Sequence, residues 1–296
     1  MAQTPFHGPF HGPFHGRFHR PWPHRAAAWL SLLLCAALLG CATPPPADGT
    51  AIAPGLLQRT LPTPPGVVLH VLQVDLTEPG LRLQLSGPAL KGQTLDQMAA
   101  AVGALASVNA SFFDRNFNAR GWTVSDGQAW ADVMAVATSP LLACDLAQRC
   151  TIVFEPGREP AATWNMAVAG TPWLLRQGQA RTAADDATCA NLCAATHPRT
   201  AVGLDRTQRW LTVVLAEGRR PGVPGITLTE LALWMQRLGV FDAINLDGGG
   251  SSALWLNGEN AMQRPANEPA QRRISNALHV VPGVPNDAPP LPQTTD

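Results

Sequence analysis

Tyrosine is absent from this chain and lysine occurs once, as Lys91. Both shortages read as a bias of base composition. Only 14% of the 296 residues are charged, and bases and acids balance to zero net charge. No basic patch is present, which argues against a nucleic-acid partner. The longest apolar run, Ala26 to Leu39, is too short for a comfortable transmembrane helix. There is no Gly-x-Ser-x-Gly elbow, and beyond residue 41 histidine is confined to His70, His197 and His279. A serine hydrolase acting through Ser251 or Ser252 is therefore not expected. Acidic residues nowhere take the spacing of a calcium loop, so no metal and no cofactor is expected on Asp247 and Asn245. What the chain does have is 46% hydrophobic residues, enough for one large or two small domains with a real core.

Residues 1–41 read as a targeting segment: a Phe-His-Gly-Pro repeat, Arg17, Arg20 and Arg25 without any acid, then the apolar run. The run ends Leu38-Leu39-Gly40-Cys41-Ala42, which resembles the lipobox of bacterial lipoproteins, where the cysteine becomes the lipidated first residue. Cys41 is thus the expected lipidation site, with an ordinary secretory signal as the alternative. That places the chain, as an expectation, at the periplasmic face of an outer membrane, with the membrane as a partner through its anchor. Residues 42–65, rich in Pro, Ala and Thr, are expected to form a semi-extended linker, and 283–296 a disordered tail. The folded domain is expected over 66–282. Its four cysteines suit two disulfides of an exported protein, Cys144 with Cys150 and Cys189 with Cys193 by proximity. Three pairings are formally open, and a zinc site is a further alternative whose usual ligand spacing is missing.

Within 66–282 the pattern alternates short apolar runs with turn residues. Val67 to Leu76 and Leu81 to Leu85 read as a strand pair around Glu78-Pro79-Gly80. Thr94-x-x-Gln97 and Thr227-x-x-Glu230 are capping boxes, each opening a helix that a glycine closes, at Gly103 and Gly239. Each helix leads into a buried run that ends in an asparagine, Asn109 or Asn245. Ala131 to Thr138, Cys150 to Phe154, Met166 to Leu175, Pro198 to Asp205, Trp210 to Leu215 and Arg272 to Val281 read as further strands. The fold class expected is α+β: mixed, largely antiparallel sheets with a few packed helices in a single globular domain.

One stretch looks built for chemistry. In Asn245-Leu246-Asp247-Gly248-Gly249-Gly250-Ser251-Ser252 a carboxylate leaves a strand and meets three glycines and two hydroxyls. Consecutive glycines cost backbone entropy and serve where φ must be positive or where a ligand approaches the main chain. Such a loop favours something anionic or rich in hydroxyls. Asn109 closes a matching unit, so the two loops are expected to meet at one end of a shared sheet.

The blocks Asn109 to Asp114, Gly170-Thr171-Pro172, Arg199 to Gly203, Glu230-Leu231-Ala232 and Asn245 to Ser252 together resemble the phosphodiester glycosidase family. Similarity runs from about Val67 to Val281. It implies cleavage between a sugar anomeric carbon and a phosphodiester oxygen, with a GlcNAc-1-phosphodiester-like substrate, giving free sugar and a phosphomonoester. The family often has two glycines before its Thr/Ser-x-Pro region, and here Ala169 replaces the first. Because a phosphate ester leaves well without protonation, a cation on the phosphate matters more than an acid. Arg199 is the expected cation, with Arg273 and Arg264 as further candidates and Thr200 beside it. Asp247 is the first carboxylate, stabilising charge at C1 or activating water; Asp205 and Asp114 are second choices, and Glu230 is only a cap. Asn109 and Asn245 are candidates for sugar hydroxyls or an acetamido group, and Gly248, Gly249, Gly250, Ser251 and Ser252 for close approach of the sugar phosphate. A lipid-anchored glycan or sugar-phosphate binding module without turnover is the alternative function.

Overall fold

The strand Trp210–Ala216 is buried along its whole length, with Val213 and Leu215 facing one way and Val214 and Ala216 the other. Period-two alternation with both sets apolar requires cover on both faces. A computed structural model supplies that cover as a layered α+β fold. It describes residues 49–283 apart from 62, 135–138, 158 and 188. The targeting segment with Cys41 and nearly all of the expected tail lie outside the described residues.

The central sheet has eight strands: β1 (Thr50–Ala53), β2 (Leu56–Thr60), β3 (Leu69–Asp75), β14 (Trp210–Ala216), β13 (Arg199–Asp205), β15 (Val240–Asn245), β11 (Trp173–Arg176) and β12 (Gln179–Ala180), in that spatial order. Two five-stranded sheets cover one face. The first is ordered β7 (Gln128–Ala129), β6 (Thr123–Ser125), β10 (Met166–Ala169), β8 (Leu141–Cys144), β9 (Cys150–Val153). The second is ordered β17 (Glu259–Asn260), β16 (Leu254–Leu256), β5 (Ala106–Asn109), β18 (Ala277–Pro282), β4 (Leu81–Leu85). Every strand pairing within these sheets is antiparallel. Leu72, Val202, Val213 and Ile244 meet Leu83, Val108, Leu278 and Met166 in the core between the layers.

Four helices complete the described chain: α1 (Leu95–Ala101), α2 (Ala183–Ala187), α3 (Ala190–Cys193) and α4 (Leu228–Arg237). Both capping boxes form. Thr227 Oγ1 accepts from Glu230 N at 3.2 Å, Thr227 N donates to Glu230 Oε2 at 2.8 Å, and Thr94 N donates to Gln97 Oε1 at 3.1 Å. Helix α4 lays Leu228, Leu231, Ala232 and Met235 on the second face of the central sheet. Each large apolar side chain buried there contributes roughly 1.5–3 kcal/mol. Both disulfides join sequence neighbours, Cys144 to Cys150 and Cys189 to Cys193.

Three expectations need correction. Thr50 to Thr60, assigned by composition to the linker, forms the β1–β2 hairpin and pairs with β3 through Leu56↔Val74 to Thr60↔His70. Leu56 is fully buried there, an apolar anchor that the surrounding prolines mask. Strands β3 and β4 do not pair with each other; the chain turns at Glu78-Pro79-Gly80 from the central sheet into the facing one. Met166 to Leu175 likewise divides between two sheets, broken at Gly170 and a cis Thr171–Pro172 peptide. The sequence shows a run and a turn, and a crossing between layers has the same local signature as a hairpin. Of the expected strand Ala131 to Thr138, positions 135–138 lie outside the described residues and Met134 forms only an isolated bridge with Arg120.

Candidate active site

Strand β15 ends at Asn245, opposite Ala201 of β13, and strand β5 ends at Asn109, opposite Ala277 of β18. The two asparagines thus stand at the ends of facing sheets, not of a shared one, and the loops they open meet across the gap. Asp247 N donates to Ala110 O at 3.0 Å, and Asn109 Nδ2 to Asp247 O at 2.6 Å. Asn109 Oδ1 accepts from Thr200 Oγ1 at 2.8 Å and Ala253 N at 3.2 Å, while Thr200 Oγ1 lies 3.3 Å from Ser252 Oγ. Asn109 is 1% exposed, with Oδ1 accepting two hydrogen bonds and Nδ2 donating one, so it acts as a knot that fixes the loop. Asn245 donates Nδ2 to Thr171 O at 2.7 Å, and its Oδ1 is buried without a partner among the described residues.

The glycines have distinct tasks. Gly248 N donates to Asp247 Oδ1 at 2.9 Å and Gly249 N to Pro198 O at 2.8 Å. Gly249 has a φ of +63°, and a Cβ there would stand 3.1 Å from both terminal nitrogens of Arg219. Gly250 is crowded by Arg272 and Glu268, which form an ion pair where a side chain would be. Among the described residues no acceptor is bonded to the Gly250 N–H. Beside Gly250 and Ser251 lies a cavity of about 10 Å³, room for about one water, walled by Arg264, Glu268 and Arg272.

Asp247 is partly exposed at the centre of this arrangement. Desolvation raises its pKa from 3.8 to about 6, offset in part by Ser251, the Gly248 amide and the charges of Arg272 and Arg120. Ser251 Oγ is close enough to favour the carboxylate, yet it makes no hydrogen bond of good geometry among the described residues. A carboxyl that ionises near 6 beside a glycine loop and several guanidiniums is suited to take a proton from water or to face a developing cation.

The other candidates separate. Arg199 is corrected: one residue before Thr200 on β13, it points to the opposite sheet face and is 2% exposed. Its guanidinium donates to Ile226 O, Leu192 O and Ala195 O at 3.2, 2.6 and 2.7 Å. Desolvation lowers its pKa to about 10. It pins the Cys189–Cys193 excursion to the sheet. Asp205 lies at the far end of β13, about 20 Å along the strand, where Oδ1 accepts from Trp210 N at 2.8 Å in a turn. Asp114 accepts from Asn116 N at 2.8 Å and Asn118 N at 2.9 Å, and bonding led by the Asn118 amide holds its pKa below the ordinary value. Arg273 donates to Gly92 O and lies 5.3 Å over the Phe117 ring, so it ties a neighbouring loop. Arg264 does line the cavity beside Ser252.

Sequence reasoning missed Arg120, Arg219, Arg272 and Glu268. A signal existed for Arg219: it follows β14 within Glu217-Gly218-Arg219-Arg220-Pro221-Gly222, and antiparallel pairing brings that strand's end beside the start of β13. Ala169 is accommodated because its Cβ packs on Gly121, which has a φ of +86° and no Cβ to collide. No group of three or more His, Cys, Asp or Glu side chains arranged for a metal occurs among the described residues.

Comparison with known proteins bears on this geometry. Residues 102–281 match the family described as Phosphodiester glycosidase. The SPbeta prophage-derived uncharacterized protein YomE of Bacillus subtilis is 29% identical over 174 residues, 56% of this chain and 26% of its own length. The chain therefore spans about a quarter of that relative. Among solved structures, the catalytic domain of zebrafish N-acetylglucosamine-1-phosphodiester alpha-N-acetylglucosaminidase superposes with a TM-score of 0.65 at 21% identity, over 79% of this chain and 86% of that one. A hypothetical protein from Synechocystis does so with 0.64 at 17%, over 81% and 64%. At those identities the likeness is one of fold.

Proposed function

From its membership of the phosphodiester glycosidase family, to which this chain belongs, we propose that it hydrolyses the glycosidic bond of a sugar-1-phosphodiester, a GlcNAc-1-phosphodiester-like compound of the cell envelope. The observation that carries the reading is Asp247 itself. It is a carboxyl poised near neutrality, fixed by Asn109 and Gly248, with Arg120, Arg219 and Arg272 gathered round the same glycine loop.

In the proposed reaction the sugar C1–O bond breaks and its electron pair stays on the phosphate oxygen. Water adds its hydroxyl to C1, and its proton passes to Asp247 or solvent. The products are free sugar and a phosphomonoester. Arg272 and Arg219 bind the phosphate in place of Arg199, since guanidinium forks match phosphate oxygens. The free Gly250 N–H offers a further donor. Asp247 stabilises the positive charge growing at C1 or activates the water. The same reading has the chain exported and held at the periplasmic face of the outer membrane through Cys41.

The test is release of free N-acetylglucosamine from a GlcNAc-1-phosphodiester by the wild type and by Asp247→Ala. Release by the wild type alone supports the enzyme. Tight binding with no release by either would leave a lipid-anchored sugar-phosphate binding module in its place.

A further inference from the structure

The cations at the glycine loop are not alone. Glu268 is bound to Arg272 and lies against Gly250, and its side chain is 13% exposed while that of Arg272 is 42% exposed. The carboxylate is the inner member of the pair. It stands where a side chain on Gly250 would be and walls the same small cavity as Ser251 and Arg264. A partly buried negative charge beside an anion subsite weakens that subsite, so its presence calls for a reason.

We propose that Glu268 sets the charge selectivity of the phosphate subsite, admitting a singly charged phosphodiester and disfavouring a doubly charged phosphomonoester. This rests on the function proposed above. Coulomb energy scales with the product of charges, so a fixed carboxylate repels a dianion twice as strongly as a monoanion at the same point. A phosphodiester carries one negative charge, whereas a phosphomonoester is nearly a dianion at pH 8, its second pKa being about 6. With Arg219 and Arg272 alone the dianion would be held more tightly. That would favour the product of the reaction over its substrate, and free sugar phosphates as inhibitors. Glu268 removes this advantage and speeds departure of the monoester. The residue is a specificity determinant that acts through the field it adds at the site.

Two ligands of similar shape separate charge from fit: glucose 6-sulfate, a monoanion, and glucose 6-phosphate, a dianion at pH 8. Their affinities for the purified protein are measured by calorimetry for the wild type, Glu268→Gln and Glu268→Asp. Because the energies scale with charge, the gain of the dianion in Glu268→Gln is the square of that of the monoanion, about 10-fold against about 3-fold. Glu268→Asp, which keeps the charge, stays near the wild type and shows that the loop still folds. Equal gains for both ligands, a loss for both because Arg272 has lost its support, or no binding by any variant would each overturn the proposal. Sugar release is assayed beside these measurements. Charge selection without release would reject the glycosidase reading and keep the role of Glu268, whereas release without charge selection would do the reverse.

Discussion

Asp247 serves two demands that oppose each other. Desolvation lifts its pKa to about 6, so at pH 8 the folded protein carries a carboxylate whose ionisation is disfavoured relative to the unfolded chain. For a raised carboxyl the cost is absent below the unfolded value of 3.8, grows as pH rises, and is complete above about 6. At 1.36 kcal/mol per unit that is up to about 3 kcal/mol. Asp247→Asn is therefore expected to raise stability by about 1–3 kcal/mol at pH 8, measured by urea denaturation, while sugar release falls by about 10²–10⁴-fold. A variant that is both less stable and inactive would mean that the carboxylate is structural. In the wild type, kcat/KM should rise tenfold per pH unit up to about 6 and then level. Gly250→Ala tests the neighbouring position: the new methyl displaces the Arg272–Glu268 pair, so KM for a phosphodiester should rise by an order of magnitude with little change in melting.

At the scale of elements, the sequence showed what local pattern encodes. Both capping boxes, the Arg199–Asp205 and Trp210–Ala216 hairpin, the disulfide neighbours and the loop after Asn245 were all readable, because each depends on residues within a turn or two of one another. What failed depended on face and layer. Arg199 and Thr200 are adjacent, and the period of two sends one to the α4 side and the other to Asn109. Choosing between them requires knowing which face the site occupies, and β13 is apolar on both. The cations that do gather, Arg219 and Arg272, lie on loops between elements, where no periodicity marks a direction. Asn109 shows the gain from long-range pairing: one amide joins the ends of β5, β13 and β15. Asn109→Ala would strand Asp247 O and Ala253 N and leave the Thr200 hydroxyl only Ser252 Oγ, so a loss of about 2–4 kcal/mol is expected. Activity should fall with it even at temperatures where the variant remains folded. Full activity in a folded Asn109→Ala protein would show that the loop holds Asp247 without the knot.

For the whole molecule, two desolvated groups, one on a loop and one on a strand, change stability with pH in opposite senses. His279 of β18 is fully buried with Nε2 2.8 Å from Ser86 Oγ and Nδ1 2.7 Å from Ser107 Oγ, and desolvation lowers its pKa from 6.5 to about 4. For a depressed histidine the unfolded chain binds the proton first, so stability is lost as pH falls from 6.5 toward 4, by about 3 kcal/mol. Asp247 behaves in the reverse sense over nearly the same interval: as pH falls from about 6 to 3.8 its ionisation cost disappears, and a similar amount of stability returns. The two changes nearly cancel. His197, whose pKa desolvation also lowers, and carboxylates held low such as Asp75 and Glu217 add their own loss on acidification. The wild type should thus lose less stability between pH 6.5 and pH 4.5 than Asp247→Asn does, while its activity has gone because Asp247 is protonated. Acid inactivation would then be reversible on neutralisation. Removing one member exposes the other: Asp247→Asn should lose about 2–3 kcal/mol between pH 6.5 and pH 4. A parallel loss in wild type and variant would show that the carboxyl of Asp247 is not held above its ordinary range, and would remove the physical ground for assigning it the proton transfer.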